Sequence, residues 1–336
     1  MSEQQGQEPA EQRTVAAEVR DDSRRGAVAH LGLGLAAVGR PAYITRGRDA
    51  DLSPDRSPEA LEARAHDLLD ALDACGISYV DAARSYGLAE RFLSSWLQAS
   101  DARPFVASKW GYRYAADWRS DAVEHEVKEH SLAMFDRQWT ESGQLLGLWL
   151  RLYQVHSLTS ESPLWTDAAL HRRLSEVRAA GTELGFSTSG PAQAESVRRG
   201  LSLTVDGVPL FTSVQATWNV LEPSVAPALA EASASGARVV VKEALANGQL
   251  LDPDVVGAGR LQGVAATYGV GVDAVAIAAA MAQPWCDVVL LGPVTVSQLQ
   301  SNVLARDLAP DIDPDTVLAP QSPADYWARR ARLPWS

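Results

Sequence analysis

Short runs of apolar, often β-branched residues alternate along this chain with longer stretches in which apolar positions recur every three or four residues. A short continuous apolar run suits a strand buried on both faces, and the longer period suits a helix with one face against a core. The runs predict strands over residues 28–35, 79–81, 105–109, 152–156, 182–187, 213–216, 238–242 and 288–291. The longer stretches predict helices over 59–74, 89–98, 164–180, 192–199, 224–235, 272–282 and 296–305, many bounded by Gly or Pro, and 121–150 reads as one more long helical stretch. Eight strands joined by crossover helices can close into a parallel barrel, so the expected fold class is α/β, a (β/α)8 TIM barrel in a single domain. A doubly wound sheet competes through Gly32-Leu-Gly34-Leu-Ala-Ala-Val-Gly39. Its third glycine comes two residues too late for a dinucleotide fingerprint, so a glycine-permissive turn after the first strand is the better reading.

Polar segments punctuate this pattern. Residues 40–58, rich in Arg, Asp, Pro and Ser, predict a surface loop on the face where the βα loops of a barrel gather and where substrate access is shaped. Residues 1–25 are polar and predict a disordered, flexible tail ahead of a barrel over 26–309. Pro-rich residues 310–336, with Tyr326, Trp327 and several arginines, predict a C-terminal extension that covers the barrel mouth or lies on the surface.

Composition acts mainly by exclusion. With 336 residues, 46% hydrophobic and 21% charged, the chain can bury a sizeable core and is not disordered in bulk. The formal charge of −12 argues against a nucleic-acid partner, which needs clustered Lys and Arg, while leaving room for a local basic pocket. Cys75 and Cys286 offer neither a disulfide framework nor a zinc spacing, which points to a reducing compartment. No stretch reaches the roughly 20 apolar residues of a membrane span, and the N-terminus lacks an apolar leader. A cytoplasmic protein with no membrane partner is expected.

Candidate chemistry sits at strand ends. Gly76-Ile-Ser-Tyr-Val-Asp81-Ala-Ala-Arg-Ser-Tyr86-Gly87 places a carboxylate and a phenol after a buried run, Phe105-Val-Ala-Ser-Lys109 ends in an ammonium, and Leu152-Tyr-Gln-Val-His156 ends in an imidazole. A phenol with a usual pKa of about 10 is a poor acid at neutral pH. A nearby ammonium lowers that value, a carboxylate holds the ammonium, and an imidazole orients a carbonyl awaiting the proton. Asp81, Tyr86, Lys109 and His156, if they converge, make a carbonyl-reducing site. His125-Glu-Val-Lys-Glu-His130 fails as a zinc motif, because five positions turn the second histidine about 140° from the first at 3.6 residues per turn. It reads instead as an exposed helical face, and no metal is expected.

In these motifs the chain resembles the aldo/keto reductases, from about Val28 to Val303. The likeness is carried by Asp81-x4-Tyr86-Gly87, Ser108-Lys109, Tyr153-Gln-Val-His156, Gly185-Phe-Ser187-Thr188, Val214-Gln215, Trp218-Asn219-Val-Leu-Glu222, Lys242-Glu-Ala-Leu245-Ala-Asn-Gly248 and Gly292 through Asn302, in the family's order. The resemblance implies a (β/α)8 barrel that reduces a small-molecule aldehyde or ketone with a nicotinamide cofactor. Tyr86 is then the proton donor, Lys109 tunes it, Asp81 holds Lys109, and His156 positions the carbonyl oxygen. Ser187, Thr188 and Gln215 would hold the carboxamide, with Thr188 where the family commonly has Asn. Trp218 would stack on the nicotinamide with Asn219 beside it, and Lys242, Leu245 and Gly248 would approach the pyrophosphate. Gly292, Val294, Gln298 and Asn302 would wrap the adenosine end. NADPH is the cofactor the family implies, with NADH possible because residues 293–297 lack the cation that commonly neutralises the 2′-phosphate. Trp110, Tyr112 and Trp118 are candidates for an aromatic substrate pocket suited to an apolar or ring-bearing carbonyl. Competing readings are a Schiff-base lyase or aldolase using Lys109 or Lys242, and a nicotinamide-binding regulatory subunit.

Overall fold

A computed structural model describes residues 30–255 and 257–335. The tail expected over 1–25, and Val28 and Ala29 at the start of the first expected strand, lie outside the described residues, as does Ser336.

Eight parallel strands close into a barrel: β1 (His30–Gly34), β2 (Tyr79–Asp81), β3 (Phe105–Trp110), β4 (Leu150–Val155), β5 (Glu183–Ser187), β6 (Ser213–Thr217), β7 (Arg238–Lys242) and β8 (Val288–Leu291). Each pairs with its neighbours in sequence order, and β8 returns to β1 with His30 opposite Val288. A helix follows each strand: α1 (Pro58–Ala74), α2 (Ala89–Ala99), α3 (Leu132–Leu146), α4 (Ala168–Ala179), α5 (Gln193–Leu201), α6 (Ala226–Ala234), α7 (Val272–Met281) and α8 (Val296–Val303). Local signals explain several boundaries. Ser57 accepts from the amide of Ala60 and Pro58 opens α1, while Asp167 caps α4 by accepting from Ala169 and Leu170.

Strand parity decides which side chains enter the barrel. Tyr79, Ala107, Leu152, Val240 and Val288 form a compact inner layer separate from the main core. Two residues further along the same strands, on the same face, come Asp81, Lys109, Gln154, Lys242 and Leu290. The apolar layer thus plugs the barrel, and the polar layer above it opens toward the C-terminal ends of the strands, where barrel active sites lie. Among the described residues, no single helix is long and apolar enough to cross a membrane.

Several expectations need correction. Residues 121–150 are not one helix: Glu126–Lys128 pairs antiparallel with Tyr112–Tyr114, and α3 begins only at Leu132, where Ser131 caps it. Pairing with a strand distant in sequence overrides local helical preference here. The 125–130 segment therefore is not an exposed helical face; His125 stacks on Trp335 and His130 is 2% exposed. The expected helix over 164–180 breaks at Asp167 into a short 3-10 turn and α4. Helix Ala258–Tyr268 was not expected from the pattern. Residues 40–58 are more than a surface loop, since Arg40 and Arg48 are buried. Arg48 donates to the carbonyls of Ala37, Arg40 and Pro41, which supply the polar partners that a buried guanidinium requires.

Candidate active site

The four residues singled out at strand ends meet at the barrel mouth. Asp81 closes β2 and pairs in register with Ala107, which sets Lys109 one inward position further along β3. Lys109 Nζ is bonded to Asp81 Oδ1, donates to the Ala82 carbonyl at 3.1 Å and to the Tyr86 hydroxyl oxygen at 3.4 Å. The other Asp81 oxygen accepts from Gln215 Nε2 at 3.0 Å and Gln154 Nε2 at 3.3 Å. This buried pair is therefore hydrogen-bonded on both sides, the condition under which a desolvated ion pair is tolerated. Because Lys109 donates to the phenolic oxygen, the phenol's own hydrogen is left to point elsewhere.

Burial, followed by the Asp81 carboxylate, pushes the Tyr86 phenol well above its ordinary pKa. Desolvation of the phenolate by burial thus opposes the lowering expected from the Lys109 ammonium. Tyr86 is consequently a firmly protonated group. His156, just past β4, packs edge-on against the Tyr86 ring with centroids 5.5 Å apart, and its Nδ1 lies 3.2 Å from Ser85 Oγ. Burial, then Lys109 and Arg40 nearby, hold its pKa well below the usual histidine value. In the tautomer in which Nδ1 accepts from Ser85, the neutral imidazole carries its proton on Nε2.

His130 braces this arrangement. Its Nε2 lies 2.8 Å from the His156 carbonyl oxygen and its Nδ1 2.7 Å from Ser162 Oγ. It packs so closely on Gly111, at φ +101°, that a Cβ there would come 2.5 Å from the ring. Burial lowers the His130 pKa from 6.5 to about 4. Below pH 6.5 the unfolded chain takes up protons at His130 and His156 that the folded chain refuses, so stability must fall as pH drops toward 4. A melting temperature lower at pH 4.5 than at pH 7 is expected, with a shallower decline in His130→Asn; thermal unfolding of both proteins across this range checks it.

A cavity of about 780 Å³ opens above the tetrad, lined at its inner end by Tyr43, Tyr86, Tyr112, His156, Lys242 and Trp335. Two ion pairs frame that end. Arg40 donates to Glu126 at 2.7 Å, with its guanidinium carbon 5.1 Å from the centroid of the Tyr86 ring and 4.9 Å from that of Trp335. Arg330 binds Glu243, and with Lys242 it holds Glu243 down to about 2 against the opposing effect of burial. The C-terminal extension therefore covers the mouth, joined to the first βα loop by a bridge between Ile44 and Trp335. Sequence reasoning missed Arg40, Tyr43, Glu126, Glu243, Arg330 and Trp335, because the segments carrying them meet only in three dimensions.

The expected cofactor residues divide. Gln215, Lys242, Leu245, Gly248, Gly292, Val294, Gln298 and Asn302 line the cavity. Lys242 lies at the inner end and donates to Thr217 Oγ1 at 2.6 Å; burial lowers its pKa to about 8. Besides Thr217 it also contacts the Glu243 carboxylate at 3.5 Å. Ser187 is buried, with Oγ accepting the Ser157 amide, and Ser189 lines the cavity instead. Thr188 Oγ1 is buried without a hydrogen-bond partner. Trp218 does not reach the cavity: one position past inward-facing Thr217, it turns outward and packs edge-on against Trp285. Asn219 is also internal, bonding the Glu243 carbonyl, the Tyr326 hydroxyl and the amides of Leu221 and Glu222.

Of the three expected pocket aromatics, Tyr112 lines the cavity. Trp110 follows inward-facing Lys109 and so points outward, fully buried against Phe135 of α3. Trp118 packs edge-on against Phe92 and donates to the Arg56 carbonyl.

Comparison with known proteins adds three findings. The sequence profile of the aldo/keto reductase family matches residues 31–315. No curated protein matches the chain. Among solved structures, the chain is similar to a glycerol dehydrogenase from Gluconobacter oxydans, with 17% identity, a TM-score of 0.65, and coverage of 92% of this chain and 94% of the other. It is also similar to an aldo-keto reductase from Bacillus halodurans in its holo form, with 20% identity, a TM-score of 0.59 and coverage of 91% and 92%.

Proposed function

Since the chain belongs to the aldo/keto reductase family, we propose that it reduces an aldehyde or ketone to an alcohol with a reduced nicotinamide dinucleotide, NADPH or NADH, and with Tyr86 as proton donor. One observation carries the reading: Lys109 Nζ donates to the phenolic oxygen of Tyr86 at the cavity floor, beside a neutral His156. A bound dinucleotide would supply hydride to the carbonyl carbon. As charge develops on the carbonyl oxygen, His156 Nε2–H steadies it and Tyr86 transfers its proton there. An alkoxide is basic enough to take a proton from a phenol even when burial suppresses the phenol's acidity.

The cavity offers a fitting groove for the cofactor. No atom lies within 4 Å of where a Cβ would project from Gly292, and the orphaned Thr188 Oγ1 and the Gln215 side chain adjoin the strand ends where a carboxamide needs partners. Leu245, Gly248, Val294, Gln298 and Asn302 extend the groove outward. Paired charges beside Tyr43, Tyr112 and Trp335 suit a carbonyl substrate with polar substituents better than the wholly aromatic pocket expected from sequence. Oxidation of reduced dinucleotide in the presence of a panel of aldehydes and ketones tests the proposal. Turnover is expected with at least one; tight dinucleotide binding without turnover on any would favour a regulatory sensor.

A second reading rests on Lys242. Lys109 has all its donors engaged, so a Schiff-base enzyme would have to use Lys242, whose pKa near 8 leaves some free amine at pH 8. Borohydride treatment in the presence of carbonyl substrate, followed by intact-mass measurement, separates the two. No adduct is expected; a substrate adduct abolished by Lys242→Met would establish the lyase instead.

A further inference from the structure

The outer end of the cavity is acidic where a 2′-phosphate would need a cation. Thr295 caps α8 by accepting the Gln298 amide, and the Gln298 side chain accepts from the Val294 amide while donating to Asp51 Oδ2 at 2.7 Å. The carboxylate of Asp51, reaching over from the first βα loop, thus lies against the first turn of α8, the positive end of its dipole. Asp252 and Asp273 also line the cavity. The cations nearby each have a partner in the protein, although Arg46 stays half exposed. Arg46 pairs with Asp252, Arg48 is buried on three backbone carbonyls, and Arg64 donates to the Val294 carbonyl from α1. Asn302, the other polar side chain on that face of α8, donates to Asp273.

Because one cavity runs from Tyr86 past Leu245 and Gly248 to Asp51 and Gln298, a dinucleotide with its nicotinamide at Tyr86 would bring its adenosine ribose toward Asp51. A free ribose diol presents two hydroxyl donors, which a carboxylate accepts well; a 2′-phosphate presents close to two negative charges, which the same carboxylate repels. Resting on the reductase reading, we propose that Asp51 is a specificity determinant that accepts from the adenosine ribose and makes NADH, rather than NADPH, the preferred cofactor. The contact that the family commonly supplies with a cation is here replaced by an acceptor.

The test is titration of the full-length protein with NADH and NADPH, following quenching of tryptophan fluorescence, to which Trp335 in the cavity wall contributes. NADH is expected to bind at least about tenfold more tightly. Asp51 is exposed, so its substitution should spare the fold; Asp51→Ser should weaken NADH and strengthen NADPH, and Asp51→Ser combined with Val294→Arg should reverse the order. Equal or tighter NADPH binding by the unaltered protein, or an unchanged ratio in Asp51→Ser, would overturn the proposal while leaving the reductase reading standing. Binding of neither dinucleotide would overturn both.

Discussion

Replacing Tyr86 by Phe is expected to lower kcat by about 10²–10⁴-fold, the usual contribution of a positioned general acid, while changing dinucleotide affinity little. The substitution removes one oxygen from a ring that is 9% exposed and packed against His156, so the cavity keeps its shape. What disappears is the hydroxyl that Lys109 holds at 3.4 Å, the proton donor of the proposed reaction. Steady-state turnover and fluorescence titration of the same preparation separate the two effects. Loss of binding in step with turnover would mean that Tyr86 shapes the cofactor groove rather than delivering the proton.

Asp81→Ala should unfold the protein more readily by about 3–5 kcal/mol, the cost of leaving a buried charge without its partner. Lys109 and Asp81 have side chains 0% and 2% exposed, so solvent cannot replace the lost contact, and two glutamine donors, Gln154 and Gln215, would be orphaned as well. Removing the pair together, as Asp81→Leu with Lys109→Met, should recover much of that stability without recovering activity, because the isosteric apolar pair needs no counter-charge. Urea unfolding of the single and double variants gives the comparison. A single variant as stable as the original would show that water or Tyr86 compensates Lys109 unaided.

The barrel and its tetrad were legible because both depend on short-range patterns. Tyr79-Val-Asp81 and Phe105-Val-Ala-Ser-Lys109 announce buried strands that end in ionisable groups, and a closed parallel barrel brings all such ends to one face. Parity could have carried the reading further. With Lys109 facing inward, alternation turns Trp110 toward the helices, and neither it nor Trp218, just past the end of β6, lines the cavity. The substrate end was hidden for a different reason. Arg40, Glu126, Glu243, Arg330 and Trp335 come from three βα loops and the C-terminal segment, and only long-range contacts place them around Tyr86. Residues 121–128 misled because charged residues there suit an exposed helix as well as a hairpin strand, and the partner that decides between them is Tyr112–Tyr114. Arg48 misled in the same way: composition marks it as surface, whereas backbone carbonyls of its own loop make its burial tolerable.

Single-turnover transfer from a reduced dinucleotide deuterated at the nicotinamide C4 position tests carbonyl reduction at Tyr86 most directly. Mass spectrometry of the product from a reactive aldehyde should find deuterium on the carbinol carbon with the unaltered protein and little or none with Tyr86→Phe. Equal transfer by both proteins would remove Tyr86 from the chemistry, and no transfer to any carbonyl by the unaltered protein would contradict the reductase assignment itself.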